Sequence, residues 1–310
     1  MIMILVKFRK ILLALVAVVM LGVVAAGCGQ TTDKGVTQVT NRKIRVVTTT
    51  DFYGEVAKAV VGNRGTVTAV IHNPAVDPHD YEPTTKVASE VSKADLVVAN
   101  GLNYDAWMTK LTRNSHHSEY IRVGEDVLNK KTGANPHIWY QPTTMAKYAT
   151  YLATELGKVQ PKSKAYFQRN AKRYIQSLKP VNQQIKQLKQ DRAQQATREV
   201  YVSEPVFDYA IQALGYHVGN HSFEEAVEKG TDPSPKAIHA MQDGIKARKI
   251  AFFVDNKQVS SKTVRNFVTL AKQNDIPVLK VTETLPANMT YKQWMLSQYQ
   301  DLAQILAQNK

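Results

Sequence analysis

Residues 44–62 read IRVVTTTDFYGEVAKAVVG, and the period of the pattern changes once along the stretch. Residues 44–49 form a β-branched run, the signature of a strand. Residues 52–61 then place apolar side chains at helical spacing up to Gly62. The same grammar continues outward. Residues 67–71, 96–100 and 120–123 read as further strands in the first half, and 200–203, 250–254 and 278–282 as strands in the second. Strands alternating with helices imply an α/β fold whose mostly parallel sheets carry helices on both faces.

The two halves echo each other. Thr49-Thr50-Asp51-Phe52-Tyr53 leads to Gly62, and Val202-Ser203-Glu204-Pro205-Val206-Phe207 leads to Gly215. Pro83-Thr84-Thr85-Lys86 and Pro233-Ser234-Pro235-Lys236 each read as a helix start. The separations are similar, 35 residues from Asp51 to Lys86 and 32 from Glu204 to Lys236. Two βα lobes are therefore expected. Between them, residues 161–198 carry ten Lys or Arg against one acid, Asp191. Phe167, Ala171, Tyr174, Leu178, Val181, Ile185 and Leu188 fall at alternating steps of four and three, one apolar stripe along a long helix. Pro180 should kink or interrupt that helix. Its charge reads as a solvated face. Neither an aromatic platform nor a Gly-rich phosphate loop accompanies it, so nucleic acid is not an expected partner.

The chain has 310 residues, with 44% apolar and 21% charged residues and a formal charge of +14, values of a globular protein long enough for two cores. A single Cys excludes a disulfide framework and any multi-thiolate metal site. That Cys follows a leader. Lys7, Arg9 and Lys10 precede an uncharged apolar run over residues 11–26, which is 16 residues long, short of the ~20 a spanning helix needs. Ala25-Ala26-Gly27-Cys28 resembles a bacterial lipobox, with Cys28 the lipidated first residue of the mature chain; an uncleaved membrane anchor is the alternative reading. The expected organisation is a leader over residues 1–27, a lipidated Cys28 and flexible tether over 28–40, a first lobe over 41–160, a basic linking helix over 161–198 and a second lobe over 199–310.

With thiolates excluded, metal chemistry falls to His and carboxylates. Of eight His residues, two sit in stiff settings. His79 lies in Asp77-Pro78-His79-Asp80-Tyr81-Glu82-Pro83, and His137 lies in Asn135-Pro136-His137-Ile138-Trp139. Flanking Pro residues stiffen these loops, which spares a ligand part of its ordering cost. Together the two motifs point to a metal site.

These two motifs, with Ala94-Asp95-Leu96-Val97-Val98-Ala99-Asn100-Gly101-Leu102, resemble the cluster A-I solute-binding lipoproteins of manganese and zinc ABC transporters, over nearly the whole mature chain. The resemblance implies two βα lobes joined by a rigid helix, with one divalent ion, Mn²⁺ or Zn²⁺, in the cleft between them. It implies His79 and His137 as ligands from the first lobe and Glu204, after the first strand of the second lobe, as the third. The fourth is expected at Glu283 in Val281-Thr282-Glu283-Thr284, with Asp255 as its competitor and His221 more distant. Asp80, Tyr81, Glu82 and Trp139 would wall the cleft. Two imidazoles and two carboxylates would neutralise a dication and suit Mn²⁺ as well as Zn²⁺. The resemblance further implies a monomeric, non-enzymatic receptor held on the outer face of the cytoplasmic membrane by its lipid. Its partner would be an ABC permease with a cytoplasmic ATPase, since the chain has no Walker A sequence of its own. An envelope metal-dependent hydrolase, or an adhesin presenting the basic helix to anionic wall polymers, is the alternative.

Overall fold

The computed structural model describes residues 42–308 apart from Asp80, Asn114, His116, Gln194, Gln195 and Ser260. The leader, Cys28, the tether and Asp80 lie outside the described residues. Among those described, no helix is long and apolar enough to cross a membrane.

The first lobe runs β1 (Ile44–Thr50), α1 (Asp51–Val61), β2 (Gly65–Ile71), α2 (Thr85–Ser92), β3 (Leu96–Ala99), α3 (Ala106–Thr112) and β4 (Glu119–Arg122). Its strands are all parallel, in the order β2-β1-β3-β4. After α4 (Thr144–Val159) come α5 (Lys164–Ser177) and α6 (Lys179–Ala193). The second lobe continues with β5 (Glu199–Val202), α7 (Asp208–Leu214), β6 (His217–Val218), α8 (His221–Glu228), α9 (Pro235–Lys246), β7 (Phe253–Asn256), α10 (Lys262–Gln273), β8 (Val278–Val281) and α11 (Tyr291–Ala307). Its parallel order, β6-β5-β7-β8, repeats that of the first sheet.

Alternation along the central strands buries both sheet faces. Val46, Leu96 and Val98 join Phe52, Tyr53 and Val56 of α1 in one core. Val47, Val97 and Ala99 join Val91, Trp107 and Met108 in another. The second lobe does the same, with Val200, Val202 and Val254 on one side and Tyr201 and Phe253 on the other. The two expected helix starts are capped. The Thr84 hydroxyl accepts the Val87 N–H at 3.3 Å, and Ser234 accepts the Ala237 N–H at 3.2 Å ahead of Pro235.

Two strands differ from expectation. β6 is only two residues long, between left-handed Gly215 (φ +88°) and Gly219, too short to leave a periodic signal. β7 begins at Phe253 rather than at residue 250, because the chain is still leaving a turn at Arg248 (φ +52°).

The linking segment is two helices broken at Leu178, since Pro180 has no N–H to donate to the preceding turn. Its stripe faces inward. Phe167, Ala171, Tyr174, Leu178, Val181 and Leu188 are buried, with Ile185 packed at the edge of the same core. Of the ten cations in residues 161–198, Arg192 is the buried one, with its guanidinium 4.9 Å from the centre of the Tyr216 ring. The last helix reaches back to the first lobe: the Tyr291 hydroxyl donates to the Trp139 carbonyl at 2.6 Å, and the Tyr291 N–H donates to Glu55 at 2.6 Å. One core therefore runs through both lobes. Phe167→Ala, which empties a fully buried site, is expected to cost about 3–5 kcal/mol in urea unfolding. Lys172→Ala on the exposed face should stay within about 0.5 kcal/mol.

Candidate metal centre

In a parallel sheet whose strand order reverses, a crevice opens beyond the carboxyl ends of the strands. Both lobes turn that edge toward each other. His79 follows β2, His137 follows β4, Glu204 follows β5 and Glu283 follows β8.

His137 is the most rigidly built. Its side chain is fully buried, and its backbone lies against Asn100, whose Nδ2 donates to the Pro136 carbonyl at 3.0 Å. Asn100 is itself held by the Tyr53 hydroxyl at 2.6 Å. The ring is set by Asn135. The Asn135 Nδ2 donates to the Pro205 carbonyl at 2.7 Å, which fixes the amide so that Oδ1 faces the imidazole. That oxygen lies 2.8 Å from His137 Nδ1 and can only accept, so Nδ1 carries the proton and Nε2 presents its lone pair. Nε2 is buried and has no hydrogen-bond partner among the described residues. Burial first, and then nearby His79, holds the His137 pKa well below the usual 6.5.

His79 stands nearer the mouth, with its side chain 36% exposed. Asp77 accepts its backbone N–H at 2.8 Å, and its ring meets Tyr104 edge-on with centroids 4.7 Å apart. The Tyr104 hydroxyl crosses the cleft to donate to Glu283 Oε1 at 2.9 Å. Glu283 Oε1 lies 3.8 Å from the Nε2 atom of both imidazoles.

The second carboxylate at the imidazoles is Glu228, which sequence reasoning missed. Its Oε1 is 3.6 Å from His79 Nε2 and 3.8 Å from His137 Nε2. Glu228 ends α8, where a negative charge opposes the helix dipole, so the site favours a cation beside it. Glu204 comes to the same cleft at the end of β5, where its Oε2 accepts the Asn256 Nδ2 at 2.8 Å and its charge acts on Glu228 and Glu283. Asp255 is placed elsewhere. It shares the sheet face of Phe253, its Cα partner across the ladder is Lys280, and the charges acting on it are those of Lys280, Lys272 and Lys257. His221 belongs to another cluster, on the first turn of α8. Trp139 walls the cleft behind His137, ring centroids 5.2 Å apart, whereas Tyr81 packs on Trp107.

The cleft is dense in carboxylates. Burial, and then the charges of Glu204, Asp77 and Asp208, push Glu228 up to about 7. Burial also pushes Glu283 up to about 8, against the Tyr104 hydrogen bond and with help from Glu228, Asp77 and Glu204. Folded values above the ordinary 4.5 mean that these groups stabilise the metal-free fold while protonated. That contribution is complete below the unfolded pKa and is lost as pH rises through about 7 and 8. Glu283→Gln, which keeps the neutral form, should therefore flatten the fall in melting temperature of the metal-free protein between about pH 5 and 8. Calorimetry on the two proteins checks this, and equal slopes would contradict it.

Comparison with known proteins agrees with this architecture. The family model described as "ZnuA: Zinc-uptake complex component A periplasmic" matches residues 46–305. The metal ABC transporter substrate-binding lipoprotein FimA of Streptococcus parasanguinis is 28% identical over 261 residues, 79% of this chain and 82% of its own. The manganese ABC transporter substrate-binding lipoprotein scaA of Streptococcus gordonii is 29% identical over 289 residues, 88% of each chain. Among solved structures, a Mn-bound periplasmic metal binding protein from Candidatus Liberibacter asiaticus has a TM-score of 0.68 at 19% identity, covering 85% of this chain and 100% of that one. FpvC from P. aeruginosa, in complex with Ni²⁺, reaches 0.71 at 19% identity, with 87% and 98% covered. At such identity the structural likeness is one of fold. The family match, in contrast, spans both lobes and the helices between them, and by it the chain belongs to the ZnuA family of periplasmic zinc-uptake complex components.

Proposed function

We propose that this protein is the receptor of a metal ABC transporter, and that it takes one Mn²⁺ or Zn²⁺ ion between His79, His137, Glu228 and Glu283. The observation that carries this reading is the His137 Nε2 atom: buried, without a hydrogen-bond partner among the described residues, and 3.8 Å from each of two carboxylates. Donors lie about 2.0–2.2 Å from such an ion, which sets neighbouring donors roughly 3–3.6 Å apart. The four imidazole–carboxylate spacings of 3.6–3.8 Å here would each need only a slight contraction. Glu204, the third ligand expected from sequence, adds its charge from the strand end, where Asn256 holds its Oε2.

The donor set is harder than one of three imidazoles or of thiolates, which admits Mn²⁺, while Zn²⁺ should bind at least as tightly in the test tube. Relatives support either ion, since the family model is named for zinc and scaA for manganese. A solute-binding family makes this a carrier rather than an enzyme, in place of the hydrolase alternative. Lipid at Cys28 would hold it on the outer face of the membrane, in keeping with relatives named as lipoproteins. A permease with a cytoplasmic ATPase would receive the ion.

Competition titration of the metal-free, full-length chain with chelators tests the ligand set. His79→Ala, Glu228→Gln and Glu283→Gln should each weaken Mn²⁺ or Zn²⁺ binding at least tenfold, and His137→Ala more, because it removes a wholly buried donor. Unchanged affinity in both Glu variants would refute the assignment. Affinity should also rise with pH up to about 8, since the ion displaces protons from Glu228 and Glu283. A flat profile between about pH 6 and 8 would contradict proton release at these groups.

A further inference from the structure

Helix α8 has a cluster at each end. Glu228 closes it in the cleft, while His221 and Glu224 lie in its first turn, facing Asp208 at the start of α7. One donor atom from each of Asp208, His221 and Glu224 lies within 4.8 Å of the other two. His221 Nδ1 and Glu224 Oε1 are 2.5 Å apart. The cluster is no surface pairing of acids. Glu224 is 2% exposed and Asp208 7%, and both Glu224 Oε2 and Asp208 Oδ1 are buried without a hydrogen-bond partner among the described residues. Among the described residues, the other Asp208 oxygen has a 3.4 Å contact from Asn135 Nδ2, which is engaged at 2.7 Å by the Pro205 carbonyl. Two buried carboxylate oxygens left unpaired are costly unless something positive meets them. The imidazole, with its side chain 63% exposed, leaves a way in from solvent.

We propose that Asp208, His221 and Glu224 form a second divalent-cation site, separate from the cleft and weaker than it. Two carboxylates neutralise a dication, and one imidazole with two oxygens suits a borderline to hard transition ion such as Mn²⁺ or Zn²⁺. Three protein donors leave the remaining positions to water, as an open site does. The two sites are physically joined. Asn135 accepts the His137 ring N–H with its oxygen and approaches Asp208 with its nitrogen, and α8 carries Glu224 and Glu228 one turn apart. Any effect of one ion on the affinity for the other must therefore be reciprocal.

Equilibrium dialysis of the metal-free, full-length chain against Mn²⁺, and separately Zn²⁺, tests the proposal. The native protein should bind two ions per chain, one tight and one weaker. Glu224→Gln and His221→Ala should each weaken the second event at least tenfold and leave the tight one within about twofold. His137→Ala should do the reverse, so loss of the cleft site is distinguishable from loss of this one. His221 is exposed, so its variant decides the matter even if Glu224→Gln does not fold. A single ion per chain, as a protonated Glu224 donating to Asp208 would give, overturns the proposal. So does a second event that persists unchanged in both variants, which would mark adventitious binding at surface histidines.

Discussion

The hydrogen bond between Asn135 Oδ1 and the His137 ring is the constraint on which the cleft depends. The amide is oriented from the second lobe by the Pro205 carbonyl, and it orients an imidazole in the first. A buried His without such a partner could adopt either tautomer, and one of the two would present N–H rather than a lone pair. The neutral ring also avoids burying a charge, in accord with its lowered pKa. One amide thus sets the chemistry of the ring and ties the lobes together at the same place.

Other bonds across the cleft close it around the site. Tyr104 reaches Glu283, the Tyr140 hydroxyl donates to the Thr282 carbonyl at 2.5 Å, and Gln258 and Thr284 both donate to the Pro74 carbonyl, at 2.8 and 2.9 Å. The segment carrying Glu283 is therefore held by hydrogen bonds from the first lobe, from Tyr104 and Tyr140, as well as by its own strand. Below them, α5, α6 and α11 share one core with both sheets. With connectors packed along their length, hinge opening at a single flexible loop is not how this fold would release an ion. Small shifts that break a few cleft bonds would suit the release proposed above better.

Much of the fold was legible because parallel strands buried on both faces leave short runs rich in apolar and β-branched residues, as in β1 and β3, and because caps such as Thr84 and Ser234 are local. The repeated sheet order follows from the repeated sequence of strand and helix. His79 and His137 stood out in the sequence through their flanking Pro residues, which are local, whereas Glu283 was implied only by the family resemblance and lies two residues past the end of β8. Where period two decides the face, the sequence was less reliable. Asp255 and Asn256 are neighbours, yet Asn256 shares a face with Val254 and meets Glu204, while Asp255 turns toward the lysines.

What the sequence by itself determined, then, is the α/β grammar, the doubled lobe, the linking helix with its inward stripe and break near Pro180, and the two Pro-stiffened imidazoles. Each is written in residues close together along the chain. Only the tertiary structure decided that Glu228 stands at the imidazoles and that Asp208, His221 and Glu224 meet. Glu228 lies in an ordinary amphipathic helix, and its reach into the cleft depends on how α8 rolls as Phe223 packs against Phe267, ring centroids 5.1 Å apart. A helical residue's direction in space is set by what its opposite face is buried against, and that partner lies 44 positions further along the chain.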